Sequence, residues 1–122
     1  MHHPLVGLWT LLSWHRVFPD SRQSPYCESP IGGFLVYTGE GLMAVSIYER
    51  EQTRVLTSYA GRFEYQQGEV VHHPIEGSSP YGIQDKKVRL VRFEHEQMIM
   101  ETKESDPNNI GFIHRLIWQK RP

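Results

Sequence analysis

A chain of 122 residues, with thirteen lysines and arginines against fourteen aspartates and glutamates, has room for one hydrophobic core and carries no excess of charge. That balance leaves no basic stripe to follow a phosphate backbone, so no nucleic-acid partner is expected. No apolar run approaches the roughly twenty residues of a bilayer span, Met1-His2-His3-Pro4 lacks the features of a signal peptide, and the single Cys27 suits a reducing compartment, so the chain reads as one soluble, cytoplasmic domain over 1–122 without membrane insertion.

The dominant period is that of strands rather than helices. Leu5 to His15 is an apolar first segment opened by Gly7-Leu8-Trp9. On the first of many short strands, that pairing predicts a small closed barrel, with Trp9 plugging one end and Gly7 leaving room for its ring. Val17 to Gly32 follows, carrying Pro19, Pro25 and Pro30 with Phe18 and Tyr26; a connection this long reads either as a lid over the open end or as a loose surface loop. Gly33–Tyr37 and Leu42–Tyr48 form a hairpin around Thr38-Gly39-Glu40-Gly41. Glu49 to Arg54 is charged and reads as a short helix or a solvated turn. Leu56 to Tyr65 alternates Tyr59, Gly61, Phe63 and Tyr65 against Ala60, Arg62 and Glu64, and Gln66-Gln67-Gly68 turns it into Val70–Glu76. Lys87–Glu94 and Gln97–Lys103 pair around His95-Glu96, and Phe112–Gln119 closes the chain after the breaker run Asp106-Pro107-Asn108-Asn109.

These segments predict an all-β fold: an up-and-down antiparallel barrel of about eight strands, because full closure removes exposed sheet edges. An interior of that size is just wide enough for side chains or for one small ligand.

Leu5-Val6-Gly7-Leu8-Trp9-Thr10-Leu11-Leu12-Ser13, Pro30-Ile31-Gly32-Gly33-Phe34-Leu35-Val36-Tyr37, Gly41-Leu42-Met43-Ala44-Val45 and Tyr59-Ala60-Gly61-Arg62-Phe63-Glu64 follow one another in a recognisable order. Together with Val70-Val71-His72-His73 and Leu116-Ile117-Trp118-Gln119-Lys120-Arg121, the pattern resembles the bacterial and fungal lipocalin-like domain family, small barrels related to the calycins. The resemblance covers nearly the whole chain and rests on order and spacing. It implies a lipocalin-like barrel with a central cavity, and it implies little about chemistry. It also implies a basic residue from the final strand packed over Trp9, a role for Lys120 or Arg121 worth about 0.5–2 kcal/mol as a cation–π contact. Gly7, Trp9 and Arg121 are accordingly expected to close the barrel.

His72 and His73 are neighbours on a strand and face opposite ways. Val71 and Ile75 share parity with His73, which favours His73 inside and His72 outside. An interior imidazole can bind a ligand or exchange protons near neutral pH, or it can be a core histidine satisfied by a neighbour. On the last segment, Phe112, His114, Leu116 and Trp118 share one face, so His114 joins the interior if Trp118 does. Arg89 shares parity with Val91 and Phe93; facing inward, it would bind a carboxylate or enolate oxygen or pair with a glutamate. Arg92 is the competing match to the family pattern. Tyr37, Tyr59 and Tyr65 offer phenols on a wall, and Met43, Met98 and Met100 an adaptable apolar lining, although such residues more often simply fill a core.

No nucleophile elbow, phosphate-binding glycine loop or zinc-ligand spacing is present in the sequence, and no metal or cofactor is expected. The leading expectation is a binding barrel for a small hydrophobic or aromatic molecule with one polar end, acting as monomer or homodimer. Its ligand contacts would be His73, Arg89, Tyr37, Tyr59, Phe63, Met43 and His114. Whether it is an enzyme stays open at this point. An isomerase or cyclase would use His73 as acid or base and Arg89 to stabilise negative charge. A third reading is a fully packed barrel acting through surface contacts.

Overall fold

A computed structural model describes residues 4–51, 54–79, 83, 85–103 and 111–122. Nine strands run in chain order: β1 (Gly7–Val17), β2 (Gln23–Pro25), β3 (Ile31–Tyr37), β4 (Leu42–Glu49), β5 (Val55–Gln66), β6 (Glu69–Ser78), β7 (Lys87–Glu94), β8 (Gln97–Thr102) and β9 (Ile113–Arg121). From β3 onward each strand pairs antiparallel with the next, β1 pairs with β3, and β9 returns to β1. Eight strands therefore close into an up-and-down antiparallel barrel of the lipocalin-like kind. The ninth, β2, is three residues added to the far end of β1.

The connections match their residues. Thr38 caps the β3–β4 hairpin by accepting the Leu42 amide on its hydroxyl at 3.1 Å, and Gly41 supplies a φ of 87°. The long connection from Val17 is partly ordered by β2. Its Tyr26 ring stacks on Trp14 with centroids 3.8 Å apart, and its Cys27 thiol donates to Glu49 Oε1 at 2.9 Å. The breaker run at 106–109 lies outside the described residues, as do residues 52 and 53 of the charged segment after β4. Among the described residues no helix is long and apolar enough to cross a membrane.

Closure at the Trp9 end differs in detail from the sequence expectation. Trp9 is buried, its indole N–H donates to the Leu5 carbonyl at 2.9 Å, and the basic residue over its ring is Lys120, with Nζ 4.8 Å from the centroid. The same ammonium donates to the Val6 carbonyl at 2.6 Å. Arg121 is exposed and reaches Thr10 Oγ1 instead, because neighbouring residues on β9 alternate faces and Lys120 shares the inner one with Trp118. Gly7 also serves Lys120 rather than the tryptophan. A Cβ there would stand 2.8 Å from Lys120 Cε, on a backbone with φ of 136° that other residues rarely adopt.

Register shifts decide which side chains face in. Between Leu11 and Ser13, β1 carries one extra residue against β9; Leu12 is therefore exposed, while Leu11 and Trp14 both point into the core. In β6 the pairing jumps from Gly61↔Pro74 to Ala60↔Glu76, leaving Ile75 unpaired and exposed. The inner wall is then Trp9, Leu11, Trp14, Leu35, Tyr37, Met43, Val45, Ile47, Tyr59, Val70, Val91, Met98, Met100, Leu116 and Trp118, one continuous apolar cluster.

Candidate functional site

Polar groups interrupt that wall on β3, β5, β6 and β7. On β6, Val70 and His72 are buried on the inner face, and His73 takes the outer one. This corrects the expectation drawn from Val71 and Ile75. Ile75 sits in the bulge, so its parity says nothing about the strand before it, and Val70 rather than Val71 belongs to the core. His73 instead meets Glu64 on the surface, its Nε2 2.6 Å from the carboxylate. From the outer face it does not reach the barrel interior, where the expectation had placed it.

His72 lies between two phenols. Its Nε2 is 2.6 Å from the Tyr37 hydroxyl and its Nδ1 2.7 Å from the Tyr59 hydroxyl. Burial, then the charges of Arg89, Lys87 and His73, push its pKa down to about 3, so the ring is neutral at physiological pH. Burial also raises Tyr59 to about 12, and Tyr37 well above its ordinary value. All three groups are uncharged, and this has a stoichiometric consequence. A neutral imidazole carries one N–H and one bare nitrogen. One phenol must accept from the ring while the other donates to it. The accepting phenol keeps its own O–H, and that proton has no acceptor among the described residues.

Two cations share this interior. Arg89 lies on the inner face of β7, half-buried, paired across the sheet with Val70 on one side and Thr102 on the other. Lys87, two residues earlier on the same face, is buried with Nζ 5.8 Å from the Tyr59 ring centroid. Arg92 faces outward, to Glu94 and Glu101. Phe63 packs edge-on against Tyr37 at 4.7 Å between centroids, and Met43 is buried in the same wall.

Trp118 does face inward, and His114 with it, but His114 is committed elsewhere. Its Nδ1 accepts the Trp14 indole N–H at 3.0 Å, and its backbone N–H donates to Thr102 Oγ1 at 2.9 Å. This second cluster lies toward the mouth, under Tyr26. A cleft of about 350 Å³ on that side, between the Tyr26-Cys27 segment and Arg54-Val55-Leu56, shares no residue with the Tyr–His–Tyr group.

Of the sequence-derived contacts, the fold places Tyr37, Tyr59 and Arg89 beside one polar interior, with Phe63 and Met43 in its wall. Sequence reasoning missed His72, Lys87 and the Trp118 indole N–H, which is buried without a hydrogen-bond partner. The alternation Val70, His72, Pro74 was available as a signal, but Val71, His73, Ile75 was the more apolar of the two sets. No protein-family model and no curated protein matches the chain.

Proposed function

We propose that this protein is a small-molecule-binding barrel of the lipocalin-like family, working in a reducing intracellular compartment. Its ligand has an apolar or aromatic body, held by the wall, and a polar end presented to Tyr37, Tyr59 and Arg89. The observation that carries the reading is the phenolic hydrogen left over by the Tyr37–His72–Tyr59 chain. A packed barrel built only for stability has no use for a buried donor of this kind, since each one left unsatisfied costs about 1–3 kcal/mol. Native mass spectrometry of freshly expressed protein is expected to show a population heavier by one small molecule, which leaves on denaturation. A bare chain mass, together with no thermal shift from a panel of aliphatic and aromatic molecules, would overturn the reading in favour of a packed barrel.

The same hydrogen-bonded chain favours a second reading, a proton-transfer isomerase. When the free phenolic O–H passes its proton to a bound molecule, the imidazole N–H follows onto that phenol. The opposite phenol then protonates the other ring nitrogen and is left as a phenolate, able to take a proton from a second position on the molecule. No proton is gained or lost overall. His72→Gln separates the two readings: a carrier keeps its function with altered affinity, whereas an isomerase keeps binding and loses turnover by about 100-fold or more.

A further inference from the structure

Arg89 presents the interior with hydrogen-bonding capacity that the fold does not use. A guanidinium carries five N–H donors and accepts nothing. The one hydrogen bond Arg89 makes among the described residues is from Nη1 to the Val88 carbonyl, at 3.0 Å, and no ion pair among them includes it. Glu49, the buried acid among the described residues, is spoken for at the mouth. Arg54 donates to both its oxygens at 2.8 and 3.0 Å, and Cys27 adds a third donor. Glu64, Glu69, Glu94 and Glu101 form their ion pairs with His73, Lys103, Arg92 and Arg115, from positions opposite in parity to the inner wall. A half-buried cation in this setting needs a negative partner, since burying charge without one is costly.

Neighbouring groups add positive charge and two further donors. Lys87 brings a second positive charge to the same face of β7. The Tyr37–His72–Tyr59 chain contributes one O–H. On β9, two inner rows further toward the closed end, the Trp118 indole N–H is buried, with the residue 1% exposed, and has no acceptor. Arg89 on β7, the Trp118 indole on β9 and one phenol of the tyrosine pair thus each offer an N–H or O–H that no described residue accepts.

We propose that the barrel binds an organic carboxylate, its two oxygens received by the Arg89 guanidinium and by the phenol whose proton is free, its apolar body lying among the core side chains. This rests on the reading of the barrel as a ligand-binding cup and adds the class of the polar end. The planar fork of an arginine matches the two oxygens of a carboxylate, which a neutral amide of the same shape cannot reproduce.

The test compares two acids with their amides, by calorimetry at pH 7.5: decanoate against decanamide, and 4-phenylbutyrate against 4-phenylbutyramide. At least one acid is expected to bind about tenfold or more tightly than its amide. Arg89→Met should remove that preference, acid and amide then binding within about twofold of each other, and Arg89→Lys should restore part of it. Equal affinity for acid and amide in the unaltered protein overturns the carboxylate assignment and leaves the binding barrel standing. A preference for the acid that survives Arg89→Met overturns the role of Arg89. Binding of no member of either pair overturns the carboxylate and counts against the cup as well. If Arg89→Met fails to fold, the acid-to-amide ratio of the unaltered chain still decides the carboxylate question.

Discussion

His72 is a histidine that the fold keeps from being charged. Burial penalises the imidazolium first, and Arg89 and Lys87 penalise it again. Its pKa falls from 6.5 unfolded to about 3 folded, so between those limits the unfolded chain binds the extra proton and the folded one does not. Stability is therefore full above about pH 6.5 and is lost as pH falls toward 3, by roughly 1.4 kcal/mol per pH unit from this residue. His72→Gln keeps a donor and an acceptor for the two phenols and cannot titrate. Urea unfolding at pH 7 and pH 5 should show the original protein losing about 2 kcal/mol more than the variant over that interval. Identical losses would mean that His72 ionises freely in the folded protein. His114 shows the contrasting case, a buried imidazole that accepts the Trp14 indole N–H while its backbone N–H donates to Thr102, which makes it part of the wall rather than of the site.

At the scale of elements, the β5–β6 pair is where the site is set. A bulge at Ile75 brings the backbone of β6 close against Gly61, where a Cβ would stand 2.1 Å from the His73 carbonyl oxygen and 2.9 Å from Pro74 Cα. These are backbone atoms of a paired strand and cannot rotate aside. Gly61→Ala is expected to cost about 3 kcal/mol or more, measured by chemical denaturation. A loss under 1 kcal/mol would show that the two strands can part there without consequence. The same bulge explains why the sequence misleads at this strand. Alternation reads correctly on β7, where Arg89, Val91 and Phe93 share the inner face, and on β9, where His114, Leu116 and Trp118 do. It fails on β6 because one extra residue reverses parity, and that extra residue exists only in relation to β5. The three-residue β2 escaped for a similar reason. Its pairing is made by a loop returning to β1, and its Gln23-Ser24-Pro25 has no strand pattern of its own.

At the scale of the whole molecule, β9 closes on β1 along a long seam, from Leu8↔Arg121 to Val17↔Ile113. No strand of the closed barrel can leave without breaking two ladders. Unfolding should therefore be one cooperative event, with the far-ultraviolet dichroism and the tryptophan fluorescence following superimposable urea curves. Trp9 and Trp118 report the closed end and Trp14 the mouth, so a fluorescence transition that precedes the loss of strand signal would reveal a mouth that opens separately.

Sequence alone determined the barrel, through the two-residue period, the count of strands, the β3–β4 hairpin and Trp9 at the closed end. It also named Tyr37, Tyr59, Phe63 and Arg89 as candidate contacts, and their strands do keep a simple alternation between core and solvent, but the structure decided that Arg89 faces inward. Tertiary structure alone decided that His72 and not His73 occupies that interior, and that Lys120 and not Arg121 covers Trp9. Both choices are between adjacent residues. Adjacent residues on a strand point to opposite faces, so which one turns inward depends on bulges and register, and these are properties of two paired strands rather than of either one.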